Sequence, residues 1–257
     1  MGRVSPAEAG SIDYKSAGRW PEASSTRTRC GLGRDSYNPI QMLLYYITDR
    51  RAFSGTDAQQ RAAVIRRIAA AAHAGVDYIQ LREKDLAPRD LECLAREAIR
   101  AVGDNSAVTK LLINNRTDVA LACAADGVHL ASDELPASEI RALWSKCCDR
   151  KPVIGVSAHS LADVLRAKPD GADLAVLAPI FEKVQIGAKG IGLDALREAC
   201  SAIRESSPAA RFAVLALGGV NLANARDCLQ AGADGVAAIR LFQSGDLGET
   251  VRRLRKL

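Results

Sequence analysis

Gln80, Arg82 and Lys84 alternate along Gln80-Leu81-Arg82-Glu83-Lys84, where the apolar run Val76 to Leu81 gives way to a charged loop. In an extended segment every second side chain shares a face, so an amide and two cations would point the same way. A guanidinium offers phosphate oxygens a planar fork and an ammonium offers a movable point charge. Together they suit a polyphosphate if the loop lies in a site. On an ordinary loop, paired with Glu83 and Asp85, they would be solvated charge.

Other segments carry complementary chemistry. Leu217-Gly218-Gly219-Val220-Asn221 has paired glycines that let the backbone approach an anion closely, and Ile239-Arg240 adds a cation; the plainer alternative for the glycines is a tight turn. Asp133, Glu134 and the amide oxygen of Asn115 are hard donors suited to magnesium, which takes one or two carboxylates together with phosphate oxygens and water. Asp133-Glu134-Leu135-Pro136 ahead of a helix also reads as an N-terminal cap. Ser157 and His159 stand close together, and a histidine there could act as an acid or base. His129 falls inside an apolar run, as a core or supporting residue, and His73 falls in a helical pattern as a structural one. No Ser/His/Asp grouping has nucleophile-elbow spacing, and Gly187 to Gly192 lacks the context of a dinucleotide fingerprint.

From Leu43 onward, short apolar or β-branched runs alternate with Ala/Leu/Arg-rich stretches of helical period. The strands are expected at 43–48, 77–81, 110–114, 127–130, 152–157, 174–179, 212–217 and 235–239. The helices are expected at 57–74, 88–102, 118–124, 137–144, 161–167, 193–205, 222–231 and 247–254. Ala125-Asp126-Gly127-Val128, Gly171-Ala172-Asp173-Leu174 and Gly232-Ala233-Asp234-Gly235-Val236 introduce three strands, Gly closing a helix and Asp starting the turn into the strand. Strands that alternate with helices pair in parallel, and eight such units within 43–257 imply a closed (β/α)8 TIM barrel rather than an open doubly wound sheet. Active sites of such barrels lie at the C-terminal strand ends, so Gln80 to Lys84 falls on the catalytic face, across the mouth from Gly218-Gly219 and Arg240.

Of 257 residues, 48% are hydrophobic and 25% charged, the composition of a globular protein. No apolar run reaches the ~18 residues of a bilayer span, and the N-terminus lacks a secretory core, so the cytoplasm is the expected compartment and membrane partners are not expected. A charge of +5 with 4% aromatics and no basic block argues against nucleic acid and suits small anionic substrates; a homo-oligomer is compatible with the sequence. Seven cysteines without zinc spacing read as reduced thiols. Residues 1–40, rich in Gly, Ser, Pro, Arg and Thr without hydrophobic period, are expected to form a disordered extension.

Tyr46-Ile47-Thr48-Asp49-Arg50, Gln80-Leu81-Arg82-Glu83-Lys84, Ile113-Asn114, Ala125-Asp126-Gly127-Val128-His129-Leu130 and Gly155-Val156-Ser157-Ala158-His159-Ser160 together resemble the thiamine-phosphate synthase family and the related thiazole tautomerases. The resemblance covers residues 43–257 and implies the same barrel. It implies a transferase that joins hydroxymethylpyrimidine diphosphate to a thiazole phosphate. Pyrophosphate leaves first, and the thiazole nitrogen captures a pyrimidine carbocation. By resemblance, Gln80, Arg82, Lys84 and Asn114 bind the pyrimidine diphosphate, Ser157 lies beside its diphosphate, and Gly219, Ile239 and Arg240 hold the thiazole phosphate, with Gly218 adjoining.

The chain departs from the family pattern in the chemistry. Asn114-Asn115 replaces Asn-Asp after the third strand, and Ala131-Ser132-Asp133-Glu134 replaces Gly-Gln-Asp/Glu-Asp after the fourth. The magnesium ligands implied are therefore Asn115 and Glu134, one charge weaker. Glu182-Lys183-Val184-Gln185-Ile186 stands where the family has Pro-Thr-x-Thr-Lys. Lys183 and Gln185 are its candidate substrate contacts, with Lys189 an alternative cation. Two other readings remain open: a thiazole tautomerase in which His159 shuttles the proton, and a non-catalytic regulatory barrel that keeps the phosphate pockets.

Overall fold

Eight strands close into a parallel barrel in sequence order in a computed structural model that describes residues 41–182, 189–206 and 212–257. They are β1 (Leu43–Ile47), β2 (Tyr78–Leu81), β3 (Lys110–Asn114), β4 (Gly127–Leu130), β5 (Val153–Ala158), β6 (Leu174–Leu177), β7 (Ala213–Ala216) and β8 (Gly235–Ala238). The helices are α1 (Asp57–Ala74), α2 (Pro88–Gly103), α3 (Thr117–Ala122), α4 (Ala137–Cys147), α5 (Leu161–Ala167), α6 (Gly192–Ser206), α7 (Ala225–Gln230), α8 (Arg240–Gln243) and α9 (Leu247–Leu254). The expected (β/α)8 barrel is the fold observed. No helix of the described residues is long and apolar enough to cross a membrane.

The differences from the sequence expectations have local causes. β6 stops at Leu177, short of Pro179, whose nitrogen has no hydrogen to donate to a ladder. α7 begins at Ala225 instead of Leu222 because the carboxamides of Asn221 and Asn224 bind the backbone: Asn224 Oδ1 accepts from Asn221 N, and Asn221 Oδ1 accepts from Ala223 N. α3 ends at Ala122, and Ala124 turns left-handed at φ 56°. Two elements were not foreseen, a 3-10 turn at Arg50–Ala52 and the four-residue α8, both on the loops that carry site residues.

Strand parity divides the side chains between two cores. Tyr45, Ile47, Leu174, Val176, Leu215 and Ala237 fill the barrel interior. Their neighbours Leu44, Tyr46, Ile79, Leu81, Leu111, Ile113, Val214 and Val236 pack outward against the helices. Burial on both faces is why these strands read as continuous apolar runs.

At the end opposite the site, four aspartates stitch the barrel. Asp77, Asp126, Asp173 and Asp234 immediately precede β2, β4, β6 and β8, and each carboxylate accepts a backbone N–H from the preceding strand. The donors are Leu44 (2.7 Å), Leu111 (2.9 Å), Ile154 (2.7 Å) and Val214 (2.8 Å). The Asp punctuation thus pins the neighbouring strand rather than merely starting a turn, and it has a fourth member, Asp77, in Gly75-Val76-Asp77-Tyr78. Arg255, Arg141 and Lys110 pair with Asp77, Asp173 and Asp126. Removing such a charged acceptor strands a backbone donor, so Asp126→Ala is expected to lower unfolding free energy by about 1–3 kcal/mol in urea titration, with substrate KM unchanged.

Candidate active site

The same parity that fills the barrel sorts the charged loop. Gln80 follows Tyr78 on the inward face of β2 and is only 1% exposed, whereas Leu81 and Glu83 turn toward the helices. Glu83 is buried beside Arg50, the end of the segment after β1. Its Oε1 accepts from Thr48 Oγ1 at 2.7 Å, and both its oxygens accept from Arg50 N at 3.1 Å. Thr48 Oγ1 in turn accepts from Arg82 N at 3.0 Å, and Thr48 N donates to Gln80 O. These bonds fix the backbone on both sides of Arg82.

The Arg50 guanidinium completes the arrangement with three carboxylates. Nη1 and Nη2 donate to the two oxygens of Asp85 at 2.6 and 2.9 Å, Nε and Nη2 donate to Asp57 Oδ1 at 3.1 and 2.9 Å, and Nη1 reaches Glu83 Oε2 at 3.4 Å. Asp57 opens α1, where a capping box of Thr56 and Gln59 holds the first turn. The Arg50 bonds hold the Asp85 carboxyl down at about 2, and Asp85 and the other carboxylates raise the Arg50 pKa. Burial pushes Glu83 upward against the pull of Thr48 and Arg50. A depressed carboxyl stabilises the fold above its usual range and loses that contribution as pH falls toward 2.

Glu83 and Asp85 are therefore committed to Arg50, and the sequence alternative in which they neutralise Arg82 and Lys84 is not what forms. Among the described residues neither Arg82 nor Lys84 has an ion pair. With Arg51, which sequence reasoning did not single out, they line a cleft of about 280 Å3 together with Asp49, Glu83 and Asp85.

Neighbouring strand ends add polar groups. Asn114 ends β3 in register with His129, and Asn115 follows at φ 59°, a left-handed conformation that asparagine tolerates better than most residues. On β5, Ser157 Oγ lies 3.1 Å from His129 Nε2. His129 is fully buried, and its Nδ1 lies 3.0 Å from the hydroxyl of Tyr45, a residue the sequence reading passed over although its inward position follows from strand alternation. His159 is exposed; its Nδ1–H donates to Ala178 O at 2.9 Å, which leaves Nε2 as the ring's lone-pair atom.

Gly218 and Gly219 follow β7 at φ 98° and 70°, where a Cβ would come within 2.7 Å of Pro179 or Phe181, so the loop requires glycine at both positions. After β8, Ile239 precedes α8, which starts at the exposed Arg240 with no side-chain cap. In the closed ring β8 adjoins β1 and β1 adjoins β2, so Arg240 is two strands from Arg82 rather than across the mouth. Gln243 of α8 ties this edge together by donating to Asp49 O at 2.8 Å.

Residues 44–242 match the family described as thiamine monophosphate synthase. The chain belongs to this family. It is 37% identical over 227 residues to thiamine-phosphate synthase of Chloroflexus aurantiacus, spanning 84% of this chain and 96% of the relative. The Methanoculleus marisnigri thiamine-phosphate synthase is 39% identical over 216 residues, spanning 82% and 93%. Thiamine phosphate pyrophosphorylase from Pyrococcus furiosus superposes with a TM-score of 0.67 at 28% identity, covering 85% of this chain and 96% of that one.

The thiamine monophosphate synthase motifs meet the structure unevenly after β4 and β6. Asp133 and Glu134 are exposed, and α4 has Pro136 as its N-cap with no side-chain cap bond, so neither carboxylate serves as the cap that the sequence allowed. Among the described residues no group of three or more His, Cys, Asp or Glu forms a metal cluster. Lys183 and Gln185 lie outside the described residues, and Lys189 is exposed. The described cysteines are free thiols.

Arg50→Ala would leave the buried Glu83 carboxylate and Asp85 without their cation. It is expected to cost about 3 kcal/mol of stability, read in urea unfolding, because a buried ion pair broken on one side retains the desolvation cost of the other. An unchanged unfolding midpoint would contradict the anchoring role.

Proposed function

We propose that the protein condenses hydroxymethylpyrimidine diphosphate with a thiazole phosphate to thiamine phosphate, releasing pyrophosphate. As a member of the thiamine monophosphate synthase family it is a transferase of thiamine biosynthesis. The observation that carries the substrate assignment is the commitment of Glu83 and Asp85 to Arg50, with Arg82 and Lys84 in the same cleft and without an ion pair among the described residues. Two unpaired cations at one cleft suit a leaving diphosphate better than a single phosphate.

In this reading Arg82 grips diphosphate oxygens with its planar fork and Lys84 adds a point charge, so negative charge that develops as the C–O bond breaks is met by groups already in place. Gln80 and Asn114 face the pyrimidine end, with Ser157 at the diphosphate. Gly218, Gly219, Ile239 and Arg240 hold the thiazole phosphate. The two-strand separation of Arg240 from Arg82 sets the substrates side by side, so capture of the pyrimidine cation is chiefly a matter of proximity.

The family's reaction implies magnesium. Asn115 and Glu134 fit an ion that needs few protein donors, since Glu134 is exposed and free of the α4 cap. Bound there, it would supply charge neutralisation to the diphosphate. One formal charge from two ligands makes binding dependent on the diphosphate itself. Calorimetry is expected to show magnesium binding with pyrophosphate present and little without it. Asn115→Asp is expected to lower the magnesium concentration for half-maximal activity, and an unchanged requirement would remove Asn115 from the ligand set.

Incubation with the two substrates, followed by detection of thiamine phosphate and pyrophosphate, tests the assignment; no product with or without magnesium would sink it. Arg82→Ala and Lys84→Ala are expected to reduce kcat/KM for the pyrimidine diphosphate by about 10²-fold each, the scale of lost transition-state donors. The free Nε2 of His159 supports a second reading, thiazole tautomerisation. Isomerisation of a thiazole carboxylate phosphate, abolished by His159→Ala, would identify that activity instead.

A further inference from the structure

Tyr45, His129 and Ser157 form a chain from the barrel interior to its mouth, and the burial of Tyr45 determines which way its hydrogen bonds run. The Tyr45 side chain is fully buried, and among the described residues its hydroxyl has one polar partner, His129 Nδ1 at 3.0 Å. A phenol carries one proton. If Nδ1 were protonated it would donate to the phenol oxygen, and the phenol proton would be left in an apolar core without an acceptor, at a cost of about 1–3 kcal/mol. The favoured arrangement has Tyr45 donating to an unprotonated Nδ1.

The rest of the polarity follows. A neutral imidazole without a proton on Nδ1 carries it on Nε2, which lies 3.1 Å from Ser157 Oγ. Nε2–H therefore donates to Ser157 and occupies one of its lone pairs. The ring cannot take the Ser157 proton, so that proton is directed elsewhere. We propose that Tyr45 and His129 act as positioning residues that commit the Ser157 hydroxyl to donating toward a substrate oxygen at the mouth, a diphosphate oxygen on the reading above.

Two further features fit this arrangement. Gly155 pairs with His129 across β4 and β5, and a Cβ there would come within 2.7 Å of Nδ1, so the ring's place depends on glycine in the next strand. The ring is also buried, and its hydrogen-bond partners among the described residues are two hydroxyls with no carboxylate among them, so nothing it bonds to favours an imidazolium.

The first test uses the unmodified free protein and does not depend on its activity. With 15N-histidine labelling, His129 is expected to show an unprotonated Nδ1 and a protonated Nε2 at neutral pH. The opposite tautomer or an imidazolium would overturn the inference while leaving the synthase assignment standing. The second test is a double-mutant cycle read by calorimetric binding of inorganic pyrophosphate. Ser157→Ala is expected to weaken it about tenfold and Tyr45→Phe about threefold, within the range for the net contribution of a single hydrogen bond. In the Ser157→Ala background Tyr45→Phe should have no further effect. An equal Tyr45→Phe effect in both backgrounds would show a structural role alone and refute the chain. Absence of thiamine phosphate synthesis alongside the expected tautomer would overturn the synthase assignment and not the polarity.

Discussion

Arg50 is a buried cation placed among three carboxylates from two separate segments: Asp57 opening α1, and Glu83 and Asp85 after β2. Taking a guanidinium and a carboxylate such as Glu83 out of water is costly unless their hydrogen bonds are satisfied together. Here Thr48 and the Arg50 N–H supply the remaining donors to Glu83. The same Thr48 oxygen receives the Arg82 N–H, so the bonds that satisfy the buried charge also fix the backbone of the loop that carries Arg82 and Lys84. The site depends on this arrangement because it removes the negative charges that would otherwise neutralise Arg82 and Lys84.

Strand parity makes that separation possible. Within β2, Tyr78 and Gln80 lie on the inward face while Ile79 and Leu81 meet the helices, and beyond the strand Glu83 is buried against Arg50. One short segment thus carries a buried amide, two cations that line the cleft and a carboxylate bound to Arg50. The same logic on β4 and β5 places His129 and Ser157 inside the barrel, where Tyr45 from β1 reaches His129 and His129 reaches Ser157. At the far end, the four aspartates hold successive strand pairs in register, so residues at the mouth inherit a fixed vertical alignment.

Closure of the ring also sets which strand ends lie near one another at the mouth. β8 returns to β1, next to β2, which brings Arg240 and the Gly218-Gly219 turn toward Arg82 along one arc of the mouth. Gln243 spans from α8 to Asp49 on the same arc.

From the sequence alone, alternation of apolar runs and helical stretches determined the barrel, because a period of two and a period of 3.6 are local properties of the chain. The alternation of Gln80, Arg82 and Lys84 with Leu81 and Glu83 was legible for the same reason. The partners of Glu83 and Asp85 were not, since Arg50 lies 33 and 35 residues away and reaches them only when β1 and β2 pair. The freedom of Asp133 and Glu134 from capping, the engagement of Tyr45 with His129, and the nearness of Arg240 to Arg82 were likewise decided only by the tertiary structure. Each depends on which strands are neighbours and on how buried polar groups are satisfied, and neither is written in the spacing of any one segment.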